Sequence, residues 1–259
     1  MRRDKVLLLL LLGCLVCTSG IAIYCKLDSV RMDKRMRDAD ATATTATNVT
    51  TALNDLSGFY KRTRRGVCLS ELRSQNDPLI VLFGDSILEQ LYFPALDGIN
   101  AFNAGVSGAK ALESLEFVGD VLAASHGPLV ILALGINDAF GPPASAPEQF
   151  AAVYEALVRA ILASGRKTVL VTLPPLESDK SESQLLSGTN LDAYNAVIRE
   201  TGARHALLVA DINAVLTQRR LKNYVSQTVD GVHLTAAAAV VWRDTVYAVA
   251  RQALAQPVK

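Results

Sequence analysis

Leu79-Ile80-Val81-Leu82-Phe83, closed by Gly84-Asp85-Ser86, is the stretch on which the reading of this chain turns. An apolar run rich in β-branched and aromatic residues, stopped by a Gly-Asp pair, predicts a buried strand that ends abruptly in a turn. Ser86 then lies just past the strand's C-terminal end. Ile87 to Leu96 has an apolar pattern that fits a helix, so the serine falls at a strand-to-helix junction. Open α/β sheets place their ligand sites there, and helix N-terminal N–H groups point outward at anions. An exposed hydroxyl held by a rigid strand at such a junction is well placed to act as a nucleophile.

Downstream of this unit, strand and helix patterns alternate. Ile99 to Asn103 predicts a second strand, and Ala109 to Ala124 an amphipathic helix with Leu112, Leu115, Val118 and Leu122 at three- and four-residue spacing. The continuous apolar run Leu129 to Leu134 fits a central parallel strand covered on both faces. Pro147 to Ala163 predicts a helix, Thr168 to Leu173 a strand stopped by Pro174-Pro175, and Leu191 to Thr201 another helix. Ala206 to Ala210 is the last strand and Thr235 to Leu254 a long C-terminal helix. Five strands alternating with helices imply an α/β fold, a doubly wound three-layer sandwich around a parallel sheet.

Upstream, the chain changes character. Val6 to Tyr24 has no charged residue, and its 19 positions reach about 28 Å as a helix, close to the thickness of a bilayer's hydrocarbon core. Residues 1–25 are therefore expected to form an N-terminal transmembrane signal anchor, longer than the apolar core of a cleaved signal peptide. Basic residues lie on both sides of it, so charge does not fix its orientation. The anchor reading makes this a single-pass membrane protein with its folded domain outside the cytoplasm, on the periplasmic side in a bacterium. Processing would instead leave a secreted or lipid-anchored form, and Leu11-Leu12-Gly13-Cys14 does resemble a lipobox. Against the latter, the chain stays apolar for ten more residues after Cys14.

Residues 26–75 read as a juxtamembrane stalk. Asp38 to Thr51 is a tract of Ala, Thr and Asp that offers too little apolar surface to offset the entropy of ordering it. Leu53 to Leu72 has helical character and either packs on the domain or continues the stalk. Lys61, Arg62, Arg64 and Arg65 form a basic cluster, read as a solvated face near the membrane with anionic headgroups as a partner. The compact domain is expected over 76–259, about 185 residues, long enough to bury roughly 70% of its unfolded surface. Cys14, Cys17 and Cys25 belong to the apolar segment, so Cys68 is alone in the soluble part and no disulfide framework is expected. A formal net charge of +1 excludes a strong polyanion binder, and no nucleic-acid partner is expected.

Three strand ends carry polar residues: Ser86, then Asn103-Ala104-Gly105-Val106-Ser107-Gly108, then Gly135-Ile136-Asn137-Asp138. A fourth group, Asp230-Gly231-Val232-His233, precedes the last helix. Acyl transfer needs a nucleophile, a base, an acid to orient the base, and donors for the developing oxyanion. Asp230 and His233 are three residues apart, so one helical turn would set carboxylate beside imidazole. His233 is the one histidine with an acid at that spacing; His126 and His205 have none. Each block alone has a local explanation: the glycines serve turns, and Asn137-Asp138 suits an Asx turn. Nucleotide, dinucleotide and zincin readings lack a motif, and neither a cofactor nor a metal is called for.

In this order, Gly84-Asp85-Ser86-Ile87, Asn103-x-Gly105, Gly135-x-Asn137-Asp138 and Asp230-x-x-His233 resemble the four sequence blocks of the SGNH (GDSL-type) hydrolase family. The similarity runs over roughly residues 79 to 240. It implies a flavodoxin-like sandwich with five parallel strands, Ser86 as nucleophile, His233 as base and Asp230 as its partner. It also implies an oxyanion hole of Ser86, Gly105 and Asn137. Ile87 stands where the name motif has leucine, and residues 236–239 are all alanine where relatives often have a Gly-Tyr pair. The expected function is a membrane-anchored serine esterase acting on lipid acyl esters, thioesters or O-acetyl sugars. The alternatives are an O-acyltransferase that hands the acyl group to a glycan hydroxyl, and a tethered interaction domain without turnover.

Overall fold

The structure is a computed structural model that describes residues 31–32, 34–35, 51–52, 54–139, 145–180, 191–223 and 225–257. The expected membrane anchor over 1–25 lies outside the described residues, as does most of the Ala/Thr tract. Among the described residues no helix is long and apolar enough to cross a membrane. The chain divides into two units, Met1–Gly58 and Phe59–Lys259. In the first, residues 31–32, 34–35, 51–52 and 54–58 are helical.

The second unit begins with helix α1 (59–74) and continues β1 (Leu79–Gly84), α2 (Ser86–Glu89), β2 (Asn100–Gly105), α3 (Ala111–Ala124), β3 (Leu129–Ala133), α4 (Ile136–Ala139) and α5 (Pro147–Ala163). It closes with β4 (Lys167–Val171), α6 (Leu191–Arg204), β5 (Leu208–Ala210), α7 (Ile212–Asn223) and α8 (Ala236–Ala255). The five strands form one parallel sheet in the order β2-β1-β3-β4-β5. Successive residues of a strand face opposite sides, and β1 obeys this strictly. Leu79, Val81 and Phe83 join the core against α1, α3, α5 and α6, whereas Ile80 and Leu82 join the core against α7 and α8. Two cores on two faces make the three-layer α/β sandwich expected from the sequence.

The order reverses beside β1: the chain leaves it for β2 on one side and returns for β3 on the other. The C-terminal ends of β1 and β3 therefore flank a switch point, where open α/β sheets leave a crevice.

Several elements differ from the sequence reading. The helix expected over Ile87 to Leu96 stops at Glu89. Pro94 has no N–H to donate, and the Asn103 amide takes the carbonyls of Leu88 (2.9 Å) and Leu91 (3.0 Å), ending the helix early. In α3 the buried stripe is Ala111, Ser114, Phe117, Val118 and Val121, and Leu112 is 69% exposed. Phe117 decides that rotation: it packs on Phe83 and lies beneath the guanidinium of Arg65. Helix α7 was not anticipated, because it buries only Ile212 and Leu216 and so carries little periodic signal.

The start of the compact unit also moves, from the expected 76 to Phe59. Helix α1 places Cys68 and Leu72, both fully buried, in the core with Val81 and Phe83. Three residues of the basic cluster, Lys61, Arg64 and Arg65, face the domain, whereas Arg62 is exposed. Lys61 pairs with Glu113 at 2.7 Å, Arg64 donates to the carbonyls of Gly105 and Asn103, and Arg65 donates to the carbonyl of Glu113.

Candidate active site

Ser86 opens α2 at the end of β1 and is 7% exposed. The preceding Asp85 caps this short helix through its side chain, which accepts the N–H of Ile87 at 3.1 Å. The N–H groups of Gly135 and Ile136, after β3, also favour the ionised form of this carboxyl. Burial pushes the Asp85 carboxyl up to about 7, with those N–H groups and that of Ile87 acting in the opposite direction.

His233 comes from the other side of the crevice, on the loop that leads into α8. Its Nε2 lies 3.0 Å from Ser86 Oγ, and its Nδ1 lies 2.5 Å from Asp230 Oδ2. The other Asp230 oxygen accepts the N–H groups of Val232 (2.9 Å) and His233 (2.7 Å). The pair is thus set by an Asx-type loop and not by the helical turn expected from the spacing. Burial would raise the Asp230 carboxyl, but the bonds from the His233 ring and from both N–H groups outweigh it, and the carboxyl stays below the usual carboxylate range. An ionised Asp230 keeps the imidazole proton on Nδ1 and leaves the Nε2 lone pair facing the serine hydroxyl.

The loop itself is closed on both sides. Thr228 and Leu234 form an isolated antiparallel bridge, and the N–H of Val229 donates to the carbonyl of His233 at 2.8 Å. Thr235 then caps α8 by accepting the N–H of Ala238.

The expected oxyanion donors have different settings. The N–H of Gly105 is taken by Asn103 Oδ1 at 2.9 Å, so it is committed within its own strand end. Glycine is needed there for space, since a Cβ would come 2.5 Å from the backbone nitrogen of Glu89. Asn137 donates one amide hydrogen to the carbonyl of Ala109 at 3.0 Å, which anchors it beside the loop after β2. In that loop Gly108 adopts a left-handed φ of +73° that glycine reaches without strain. Asp138 is structural: its carboxyl accepts the N–H of Ala111 at the start of α3 and the hydroxyl of Ser145, and burial raises it above its ordinary value.

His205 is held elsewhere, 2.8 Å from Glu155. Among the described residues no group of His, Cys, Asp or Glu is placed to hold a metal ion.

Two supports were not visible in the sequence. Glu89, three residues after Ser86, takes the N–H of Ser107 (2.5 Å) and its hydroxyl (2.7 Å), and also receives the hydroxyl of Tyr60. Glu177, in the segment after β4, bonds Gln227 and Thr228 at the start of the loop that carries Asp230 and His233. No linear signal singles out either carboxylate.

A hydroxyl in contact with an imidazole that is backed by a carboxylate is the set of groups that nucleophilic acyl transfer requires. Residues 82–240 match the model of the GDSL-like lipase/acylhydrolase family. Among solved structures, a putative platelet activating factor from Streptococcus pneumonia aligns at a TM-score of 0.63 and 18% identity, covering 79% of this chain and 99% of its own. An acetyl xylan esterase aligns at 0.59 and 19%, covering 66% of this chain and 98% of its own. A lipase/acylhydrolase from Enterococcus faecalis aligns at 0.58 and 22%, covering 70% and 98%. No curated protein matches the sequence.

Proposed function

The chain belongs to the GDSL-like lipase/acylhydrolase family of ester-hydrolysing enzymes, and from that premise we propose that it cleaves carboxylic esters through an acyl-Ser86 intermediate. The contact of 3.0 Å between Ser86 Oγ and His233 Nε2 carries this reading. In the proposed reaction Ser86 Oγ attacks the ester carbonyl carbon while its proton passes to His233 Nε2. Asp230 holds the ring in place and stabilises the imidazolium. Collapse of the tetrahedral species expels the alcohol, which takes the proton back from His233. Water then attacks the acyl-serine, again giving its proton to His233, and the acid leaves as the serine is restored.

The negative charge that develops on the carbonyl oxygen needs preorganised donors. We assign these to the N–H of Ser86 and the second amide hydrogen of Asn137. The N–H of Gly105, expected from the sequence to be a third donor, is bonded to Asn103. Replacing Ser86 with alanine is expected to lower hydrolysis of p-nitrophenyl acetate by a factor on the order of 10³ or more, with an unchanged circular dichroism spectrum. Wild-type turnover in that variant would identify a different nucleophile.

We further propose that residues 6–24 tether this domain to a membrane. Their freedom from charge supports the reading. Full-length protein should pellet with membranes and resist carbonate extraction; release into the supernatant would contradict the tether.

A further inference from the structure

We propose that Glu177 is a positioning residue for the base: its buried carboxylate gathers the segment 226–228 and so sets the loop that brings His233 and Asp230 to Ser86. The inference rests on those three residues being the catalytic set.

Glu177 is 1% exposed, yet it is ionisable. A buried carboxylate is expensive unless its lone pairs are satisfied, and here they are. One oxygen accepts the N–H of Gln227 at 2.7 Å. The other accepts the hydroxyls of Ser226 (2.5 Å) and Thr228 (2.6 Å) and the N–H of Thr228 (3.2 Å). Burial raises the carboxyl, but these bonds outweigh it and hold it down at about 2. Glu177 is therefore a fixed anion across the range in which an esterase works.

Its partners are the near end of the catalytic loop. The Thr228 hydroxyl that donates to Glu177 also accepts the N–H of Gly231 at 3.1 Å, and the N–H of Glu177 itself donates to the carbonyl of Gly231 at 3.0 Å. Gly231 sits between Asp230 and the two residues whose N–H groups hold the Asp230 carboxylate. At the far end Thr235 donates to the carbonyl of Gln227. The carboxylate thus fastens the entry of the loop, and the Thr228 hydroxyl and the Glu177 N–H extend that hold to Gly231 in its middle. Because Glu177 follows β4, it ties that loop to the rigid sheet.

An amide cannot replace it. The two backbone N–H groups, of Gln227 and Thr228, approach different oxygens, so either flip of a glutamine turns its NH2 toward one of them. Glu177→Gln should therefore let the loop drift, and loss of alignment between reacting groups costs roughly ten- to a hundredfold in rate. The test measures kcat and KM for p-nitrophenyl acetate, the rate of Ser86 labelling by a fluorophosphonate, and the melting temperature. E177Q is expected to lose at least about tenfold in kcat and in labelling rate, with KM within about twofold, at a temperature where it is fully folded.

Glu155→Gln, which removes a carboxylate bonded to Arg159, Arg204 and His205, is the control: it lowers the melting temperature and leaves kcat unchanged. If E177Q does not fold, Thr228→Val keeps the side-chain shape, removes the hydroxyl bridge to Gly231 and should lower kcat several-fold. Folded E177Q with wild-type kcat, or T228V with wild-type kcat where E177Q does not fold, overturns the proposal. If S86A also retains activity, the catalytic assignment itself has failed; if S86A is inactive and E177Q is not impaired, only the role of Glu177 has.

Discussion

Arg64 Nε lies 3.1 Å from the carbonyl oxygen of Gly105, and the same guanidinium reaches the carbonyl of Asn103 at 2.8 Å. One side chain from α1 therefore fastens the C-terminal end of β2, where the loop to Gly108 begins. It also lies 3.3 Å from Glu89, the carboxylate that holds Ser107. Helix α1 is part of the site's support and not a spacer in front of it.

Arg64→Met keeps the aliphatic stem and removes these bonds, two of them to partly buried carbonyls. Stability should fall by about 1–3 kcal/mol, read as a lower urea midpoint at an unchanged slope. An unchanged midpoint would mean that Arg64 adds nothing to the docking of α1.

Asn137→Ala removes an amide hydrogen assigned to the oxyanion. The loss should appear in kcat, by a factor of roughly 10²–10³, with little change in KM. It also removes the bond to the Ala109 carbonyl, so a loss confined to stability, with kcat preserved, would take Asn137 out of the hole.

The carboxyl of Asp85 makes a prediction about pH. Its value is raised to about 7 in the folded protein, chiefly by burial, against 3.8 for an ordinary aspartate. The folded state then keeps its proton over a range in which the unfolded chain has lost it. The stability this confers is complete below 3.8 and disappears as pH rises through about 7. Asp85→Asn does not titrate, so its melting temperature should improve relative to wild type on going from pH 4 to pH 8. A difference that stays flat across that range would refute the buried, proton-holding carboxyl.

How much of this was readable from the chain depends on the kind of contact involved. Strands β1 and β3 announce themselves because both of their faces are covered, which leaves uninterrupted apolar runs bounded by turn residues. The juxtaposition of Ser86, Asp230 and His233 was readable because each is tied to a short motif at a predictable edge. Gly105 was misjudged for a local reason: whether a backbone N–H is free depends on a neighbouring side chain, here Asn103, whose rotamer no linear pattern reports. The docking of α1 was likewise hidden, since Cys68 and Leu72 are sparse apolar marks in a polar helix that becomes amphipathic only against the sheet it meets. Glu177 lies beyond sequence reasoning altogether, because its partners sit about fifty positions away along the chain.

That separation governs when chemistry becomes available during synthesis. Ser86 precedes His233 by 147 positions, and β1, β2 and β3 are all made before the loop of His233 leaves the ribosome. On the proposed mechanism, reactivity requires the loop that leads into α8, so a chain translated only as far as β3 carries the hydroxyl without the imidazole that would activate it.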